Sequence, residues 1–422
     1  MTDKADTLPA ATAAALARLR RWLGNQALMA GPVQDVACGF ADGLLAAGIP
    51  LWRAYLSATT LHPEIEAFGL TWTRDGGRES EAYGHGSWGK MSSPSPIYDA
   101  VLAARESAMD PAAARAEDIV PLTRYRLERG EGVGRYPILA ELHAAGATDY
   151  LCFIIPFGFD GTLHPLRTGA SVTLATDRPG GFTTAEVRAL DDLMPVFGAA
   201  IRAGIDLAAF RTVLTTYLGR DVGRRVLHGE IRRGSVETIS AAILVGDLRG
   251  FTALADALPQ DQLVAMLDDY LDALATPVED RGGQVLKFMG DGLLATFAFA
   301  EDDPAGTCGR ALAAAAEALQ RIAAINVRRG EAGIPVMTLD VALHVGDVLY
   351  GNVGSGQRLD FTIIGPAVNE AARLENLCGA LDVPMVVSRR FVEALAAPQL
   401  FRCLGLQTLR GVRAPVEVFT PA

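Results

Sequence analysis

Two aspartates stand at glycine-flanked turns where apolar strands are predicted to end. Asp247 lies in VGDLRGFT (245–252), and Asp291 lies in LKFMGDG (286–292). Carboxylates that converge at strand ends can hold Mg²⁺ against the phosphates of a substrate. Two such cations can activate an attacking oxygen and neutralise a leaving one, so the pair predicts phosphoryl chemistry on a nucleotide. For either aspartate alone, a turn cap without a ligand is the stronger interpretation, because Asp before Gly is a frequent turn residue.

The elements around these turns predict an α+β fold. A strand is expected at Ser240–Gly246, a helix over 261–274 and a hairpin made of 284–288 and 293–297, which encloses the second aspartate. This order is the start of the ferredoxin-like βαββαβ plan, an antiparallel sheet with helices against it. Further helices are predicted over 305–326, 368–378 and 392–396, and further strands over 337–345, 349–353, 359–364, 385–387, 401–404 and 416–419.

The N-terminal half predicts a separate α+β sensor module. Its last helix, over 184–218, is expected to begin with a capping box of Thr183 and Glu186. The other predicted elements are helices over 11–30, 33–57, 96–130 and 138–145, strands over 67–76, 150–155 and 170–176, and a loop over 77–95. The segment Ala170–Ala189, a strand, a turn and a helix leading out, resembles the end of a GAF-type domain.

A helical linker is predicted between the two halves, with a break at Gly219 or Gly223 and a basic second helix. Leu214, Leu218 and Val222 either form a seam against a second copy or pack on their own domain. The predicted organisation is an N-terminal helix (1–29), the sensor domain (30–206), the linker (207–233) and a catalytic domain (234–422).

Composition narrows the functional classes. The formal net charge of −11 disfavours binding to nucleic acid or to an anionic membrane. The five cysteines are scattered without a CxxC pair, which is typical of reduced thiols in a cytosolic protein. The N-terminus does not have the pattern of a secretory signal, and no uninterrupted apolar stretch reaches the roughly 18 residues of a membrane span. We therefore expect a cytoplasmic protein.

Four ordered blocks resemble the catalytic domain of class III adenylate and guanylate cyclases. The carrying segments are VGDLRGFT (245–252), LKFMGDGLLATF (286–297), ALHVGDVLYGNVGSGQRLDFTIIGPAVNEAARLE (342–375) and LRGVRAPVEVF (409–419). The resemblance implies that Asp247 and Asp291 hold two Mg²⁺ or Mn²⁺ ions. It also covers the turn that carries Leu248, Arg249, Gly250, Phe251 and Thr252. If this turn opens a helix, its backbone N–H groups can face the triphosphate.

The same resemblance assigns the base-contacting residues. Lys287, the one charged residue in an apolar strand, would donate to a ring nitrogen of adenine, and Thr362 would accept from the adenine amino group. Many family members carry aspartate at the place of Thr362, and the Lys/Thr pairing resembles the class IIIb subgroup, in which some members respond to bicarbonate. For Thr362 alone, a β-branched strand residue without a ligand is the alternative. Asp360 is off register by two and is given no role.

The transition-state groups implied by the resemblance are Asn369 and Arg373, which share a helix face at i, i+4 spacing. Asn369 would orient the ribose, and Arg373 would offset charge on the transferred phosphate. The alternative for Arg373 is a surface ion pair with Glu370 or Glu375. Arg410 would contact the terminal phosphates, with Arg413 as a competitor. The six histidines show no ligand spacing, and His344 is predicted to be structural.

The sequence therefore predicts an adenylate cyclase that converts ATP to 3′,5′-cyclic AMP and pyrophosphate. In this family the metal aspartates face the other residues across a dimer interface, which implies a head-to-tail homodimer with two composite sites. The predicted partners are ATP, a second copy, an unknown small-molecule or ion regulator of the N-terminal domain, and bicarbonate at the catalytic domain. The alternatives are a guanylate cyclase and a non-catalytic nucleotide-binding signalling protein.

Overall fold

The computed structural model describes residues 7–87, 94–108, 121–157, 169–256, 258–300, 303–412 and 414–422. The chain divides into two compact units, residues 1–213 and 214–422.

Within the described part of the first unit, six strands form one antiparallel sheet in the order β3-β2-β1-β6-β5-β4. Strands β1 to β6 span Arg53–Thr59, Ile65–Thr73, Arg78–Gly84, Leu122–Tyr125, Asp149–Pro156 and Gly169–Thr176. Helices α1 to α5 span Ala10–Met29, Val33–Ala46, Pro96–Ala108, Pro137–Ala144 and Thr184–Leu218, with a 3₁₀ turn at Leu127–Arg129.

Apolar helix faces explain how this sheet is covered. Leu16, Leu19 and Leu23 of α1 are buried in the same core as Phe40 of α2 and Phe197 of α5. The rings of Phe40 and Phe197 stack with centroids 4.2 Å apart. The N-terminal helix predicted within residues 1–29 is α1, and it is packed into the core of the first unit; residues 1–6 lie outside the described residues. A second cluster, which contains Leu139, Leu142, Tyr136 and Tyr150, includes residues of α4 and β5.

Two predicted elements of this unit are wrong. The helix predicted over 33–57 ends at Ala46, because Gly48 has a φ of +86° and Pro50 cannot continue a helix, and the chain then enters β1. The loop predicted over 77–95 contains β3, an exposed strand that lacks the apolar alternation of a buried one. The region 96–130 contains the helix α3, as predicted, and also β4, an unpredicted strand that pairs with β5. For β3 and β4, pairing with a neighbouring strand overrides the local pattern.

The capping box at the start of α5 is confirmed. The backbone N–H of Thr183 donates to Glu186 Oε2 at 2.8 Å, and the N–H of Glu186 donates to Thr183 Oγ1 at 3.2 Å. By length and composition alone, helix α5 is long and apolar enough to cross a membrane. The sequence did not predict this, because α5 contains charged residues and has no uninterrupted apolar run of that length. About half of its most apolar window is buried inside the protein.

In the described residues of the second unit, eight strands form one sheet. Its order is β13-β14-β12-β10-β7-β9-β8, and β11 pairs with β10. Strands β7 to β14 span Val236–Arg249, Gln284–Met289, Gly292–Ala298, Thr338–Gly354, Leu359–Ile364, Met385–Ser388, Phe401–Gln407 and Val416–Pro421. Helices α6 to α12 span Arg220–Leu227, Phe251–Ala255, Gln260–Asp280, Pro304–Glu331, Pro366–Glu375, Leu377–Leu381 and Arg389–Leu395, with a 3₁₀ turn at Pro398–Leu400.

The central strands β10-β7-β9-β8 with helices α8 and α9 follow the βαββαβ order, which confirms the ferredoxin-like prediction. The two strands predicted over 337–345 and 349–353 are one strand, β10, because it pairs with β7 from Thr338 to Gly351. The linker breaks at Gly219, which has a φ of +83°. Val222 of α6 is buried within the second unit, so the packed-linker alternative holds for this helix.

Candidate active site

Backbone contacts bring Asp247 and Asp291 together. The strand predicted to end at Gly246 continues to Arg249, so Asp247 lies in β7 and only Asp291 lies on a turn. The N–H of Leu248 donates to the carbonyl oxygen of Asp291 at 3.3 Å. Asp247 is also paired in register with Gly292 across β7 and β9. A Cβ at Gly292 would lie 2.7 Å from Asp247 Oδ1 and 3.0 Å from the carbonyl oxygen of Gly246. Glycine is therefore needed at position 292 for the Asp247 carboxylate to occupy this place.

The electrostatics of Asp247 fit a site built for a cation. Burial is the largest cause that raises the pKa of its carboxyl, and the charges of Asp291 and Asp340 raise it further. Burial and the neighbouring negative charges destabilise the ionised form of this carboxyl, and a bound cation would stabilise it.

Asp340 is a site residue that the sequence prediction missed. It lies opposite Asp247 in the β7–β10 ladder, and it is 7% exposed. Its carboxylate accepts hydrogen bonds from Arg249, from Nε at 3.0 Å and from Nη2 at 2.5 and 2.6 Å. The side chain of Arg249 is thus engaged with Asp340, so any contact with phosphate would come from its backbone. An acidic residue between Leu339 and Val341 in an apolar strand was the available signal.

Glu375, the last residue of α10, was considered only as a surface ion-pair partner. Burial, together with the charges of Asp247, Asp340 and Asp291, raises the pKa of its carboxyl to about 7, while Arg249 acts in the opposite direction. Glu375 therefore lies within electrostatic range of both metal-site aspartates. The sequence did not predict this proximity, because Glu375 is far from Asp247 and Asp291 in the chain.

The turn after Asp247 is short. Gly250 has a φ of +101° and precedes α7, which is five residues long. Leu248 is buried and Phe251 is half-buried against the core, so their side chains do not face a ligand. The side chain of Thr252 lies outside the described residues. The phosphate-binding role of residues 248–252 stays a prediction.

Lys287 and Thr362 lie in different environments. Lys287 is exposed on the edge strand β8, next to an irregularity between Val285 and Lys287. A bulge of this kind redirects a side chain. Thr362 is 9% exposed, and its Oγ1 is buried without a hydrogen-bond partner in the described ranges. A buried hydroxyl without a hydrogen-bond partner lowers the stability of the fold, and a hydrogen bond from a bound ligand would offset that cost.

Asn369 and Arg373 lie on α10 as predicted, Asn369 exposed and Arg373 half-buried. The Arg373 guanidinium lies beside Gly411, 3.5 Å from the position of an added Cβ. Of the predicted ion-pair partners, Glu370 faces His344 and Glu375 faces the aspartates. Neither carboxylate pairs with Arg373 in the part of the chain that the structure describes. Arg410 is exposed next to Gly411, and Arg413 lies outside the described residues.

His344 is buried, and its Nε2 lies 3.4 Å from Glu370 Oε2. Burial, aided by the charge of Arg390, lowers the pKa of its imidazole to about 4, so the ring is neutral at pH 7. This environment agrees with the structural role predicted for it.

The donor chemistry of the site suits hard cations. Within the described ranges, no three His, Cys, Asp or Glu side chains are arranged to hold a metal. Two carboxylates with the remaining positions left to phosphate and water are the usual arrangement for Mg²⁺. Asp247 and Asp291 are the residues that fit this role, because the carboxylate of Asp340 is already paired with Arg249.

Comparison with known proteins agrees with this chemistry. Residues 235–419 match the family described as the adenylate and guanylate cyclase catalytic domain. This region is a class III cyclase catalytic domain. The match includes Asp247, Asp291, Lys287, Thr362 and the Asn369–Arg373 pair.

The relatives of the cyclase domain include proteins named adenylate cyclase at modest identity. An adenylate cyclase of Anabaena cylindrica is 32% identical over 175 residues, which are 40% of this chain and 34% of the relative. Adenylate cyclase 1 of Rhizobium meliloti is 27% identical over 176 residues, 41% of this chain and 26% of the relative. The chain thus spans about a third or less of these two relatives. The adenylyl cyclase CyaB from P. aeruginosa superposes with a TM-score of 0.41 at 23% identity, covering 44% of this chain and 96% of that one.

Proposed function

We propose that this chain is an adenylate cyclase that converts ATP to 3′,5′-cyclic AMP and pyrophosphate. The ribose 3′ oxygen attacks the α-phosphorus, the bond from that phosphorus to the bridging oxygen of the β-phosphate breaks, and the hydroxyl proton passes to solvent. The observation that carries the proposal is the convergence of Asp247 and Asp291, tied by the Leu248 N–H to the Asp291 carbonyl, inside a cyclase domain.

Cyclase domains of this class use divalent cations, and we propose two Mg²⁺ or Mn²⁺ ions at Asp247 and Asp291. When bound, such cations would neutralise the triphosphate and lower the pKa of the attacking hydroxyl. The protein's own part is to hold the two carboxylates together and to keep Arg249 engaged with Asp340. No side-chain general base is proposed.

Adenine selection is assigned to Lys287 and Thr362. Thr362 supports this role because its buried Oγ1 lacks a partner among the described residues, and an adenine amino group would supply the missing donor. Lys287 is exposed and can donate to a ring nitrogen. A buried polar group left unpaired by the wrong base gives stronger selection than an apolar contact does.

The remaining catalytic groups, Asn369 and Arg373, are proposed to act on the substrate held by a second chain. Both lack ion-pair or hydrogen-bond partners in the described structure. Exposed apolar side chains on β8, β10 and β11 support a homodimer, because a second copy can cover them. They are Phe288, Met289, Leu349, Leu359 and Ile364.

Regulation and location belong to the same proposal. The first unit is proposed to sense a small molecule or ion and to be GAF-like, bicarbonate is proposed to act at the cyclase domain, and the protein is proposed to be cytoplasmic. The net charge of −11 supports the expectation of no nucleic-acid or anionic-membrane partner.

The decisive experiment is product identification by mass. Purified full-length protein is incubated with Mn²⁺ and either ATP or GTP, and the products are analysed by mass spectrometry. The proposal expects cyclic AMP and pyrophosphate in excess. Cyclic GMP as the main product would make the chain a guanylate cyclase, and nucleotide binding without product would make it a non-catalytic signalling protein.

A further inference from the structure

Two side chains of the short helix α6 attach it to the catalytic sheet. Within the helix, Asp221 accepts a hydrogen bond from Arg225 Nε at 2.8 Å and pairs with Arg224 at 2.5 Å, and its side chain is 11% exposed. Arg225 also pairs at 2.9 Å with Glu237 of β7, a half-exposed residue. The helix that the sequence marks as part of a linker is therefore joined to the sheet by the Arg225–Glu237 ion pair and by a hydrogen bond between Asp221 and Tyr350.

Tyr350 of β10 is a residue of the sheet that contacts Asp221 of this helix. Its hydroxyl lies 2.9 Å from Asp221 Oδ2 and 2.9 Å from Gln284 Oε1. A hydroxyl has one proton, which here is donated to the Asp221 carboxylate. The hydroxyl oxygen then accepts from Gln284, whose amide O and N are assigned so that the NH₂ faces Tyr350. Tyr350 is 3% exposed, and its ring packs edge-on against Phe361 with centroids 4.7 Å apart. The Arg225 guanidinium lies over both rings, at 5.1 and 5.7 Å.

These contacts reach both strands that carry the proposed base-contacting residues. Gln284 is the first residue of β8, which carries Lys287, and Phe361 directly precedes Thr362 in β11. Tyr350 is thus a single side chain that touches α6, the start of β8 and the middle of β11.

The two strands belong to one sheet but are not hydrogen-bonded to each other. Strand β11 pairs with β10, while β8 pairs with β9, and β7 lies between β10 and β9. The register of β8 against β9 also shifts at an irregularity between Val285 and Lys287. Because no backbone ladder joins β8 directly to β11, side chains that bridge them contribute to the spacing between Lys287 and Thr362, and the Tyr350–Gln284 hydrogen bond is such a bridge.

We infer that Tyr350 is a positioning residue for base recognition. Its hydroxyl is hydrogen-bonded to both Asp221 and Gln284, and through these contacts Tyr350 sets the separation of Lys287 and Thr362. Base selection then depends on the position of α6 on the sheet. This inference rests on the proposed function of Lys287 and Thr362, and it adds a residue outside the nucleotide contacts to that function.

The test is Tyr350→Phe in the full-length protein, which keeps the ring contacts and removes the hydroxyl. The expected result is a higher KM for ATP with kcat changed less than twofold. The ATP-to-GTP ratio of kcat/KM should fall about fivefold, the scale of one hydrogen bond. Asp221→Asn should move the ratio in the same direction.

The matched control is Tyr270→Phe. Tyr270 is equally buried in the same domain, and its hydroxyl accepts from the Met337 N–H at 3.2 Å and donates to Asn326. It lies among the residues that pack α8 and α9 on the sheet, away from the base-contacting strands. Both variants should lower the melting temperature, and only Tyr350→Phe should change the nucleotide ratio.

The outcomes separate this inference from the proposed function. The wild type is assayed first, and a wild type that prefers GTP overturns the adenylate assignment while the ratio still reports on Tyr350. If the wild type turns over neither nucleotide, the ratio of dissociation constants for fluorescent ATP and GTP analogues replaces kcat/KM. An unchanged ratio in Tyr350→Phe, or an equal shift in Tyr270→Phe, shows that Tyr350 is merely structural.

Discussion

The backbone N–H of Leu248 donates to the carbonyl oxygen of Asp291 across 3.3 Å. This bond joins β7, which carries Asp247, to the turn between β8 and β9, which carries Asp291. Because it uses main-chain atoms, the approach of the two backbones does not depend on side-chain rotamers. Metal binding, nucleotide contact and the dimer arrangement all build on this relationship.

Replacement of Asp247 or Asp291 by Asn should abolish turnover without unfolding the protein. The folded state holds the charged form of Asp247 at a cost, since its pKa is raised. At pH 7 Asn removes that cost, so the metal-free variant should melt at or above the wild-type temperature. Mn²⁺ at a hundredfold excess over its dissociation constant should stabilise the wild type by about 2.7 kcal/mol and the variants far less.

The exposed helix-end variant Asp280→Asn is the control for this substitution, and it should keep both activity and the Mn²⁺ response. A loss of activity in Asp291→Asn that is matched by a loss of thermal stability would favour the turn-cap interpretation instead.

Gly292→Ala should lower kcat at least tenfold. The new Cβ would lie 2.7 Å from Asp247 Oδ1, so the carboxylate must move away from its partner turn. Crowding of this kind typically costs about 1–3 kcal/mol of stability. Gly330→Ala, in the last turn of α9 with nothing within 4 Å of its added Cβ, is the control and should be silent. Wild-type kcat in Gly292→Ala would show that Asp247 need not occupy its observed position.

Glu375→Gln should remove part of the pH dependence of stability. The pKa of Glu375 is about 7 in the folded protein, above its ordinary value of 4.5. The folded state therefore binds more protons between these values, and stability should fall as pH rises from 4.5 to 7. At pH 8 the Gln variant should be more stable than the wild type by about 1 kcal/mol, after allowance for solvent screening.

This prediction is measured as thermal melting from pH 5 to pH 8 without divalent metal. Glu331→Gln, at the exposed end of α9, is the control, because it removes one carboxyl group from the surface. Parallel melting curves for Glu375→Gln and wild type across the range would contradict the charge environment described for Glu375.

Lys287→Glu combined with Thr362→Cys should shift preference toward GTP. Lys287→Glu replaces a donor by an acceptor, and Thr362→Cys replaces a hydroxyl by a weakly hydrogen-bonding thiol. The mismatch at the buried position 362 is expected to cost about 1–3 kcal/mol. The measurement is the ATP-to-GTP ratio of kcat/KM, with Thr338→Cys on exposed strand surface as the control. An unchanged ratio would remove both residues from base recognition.

Local sequence signals were sufficient for the elements whose geometry is set within a few residues. The Thr183–Glu186 capping box, the turn at Gly290 and the break at Gly219 all follow from side chains or positive φ angles at the positions themselves. The hairpin around Asp291 was predictable for the same reason. These features are independent of distant partners.

Long-range relations were not predictable from the sequence. Asp340 faces Asp247 because of the β7–β10 register, and Glu375 comes near both aspartates because α10 packs on that sheet. Strand β3 forms by pairing with β2 although its own residues are exposed. Each relation joins segments that are far apart in the chain, and a single sequence gives no measure of such pairing.

The composite site is the central claim, and a mixing experiment tests it most directly. Asp247→Ala chains keep Asn369 and Arg373, while Arg373→Ala chains keep both aspartates, and each protein alone should be inactive. With random subunit exchange, half the dimers are mixed, and each contains one site with both defects and one with neither. About a quarter of all sites should then be intact, as two-fold pairing requires. Recovery of about a quarter of wild-type activity on mixing is the predicted result. A mixture that stays inactive while mass tagging shows complete exchange would contradict the account.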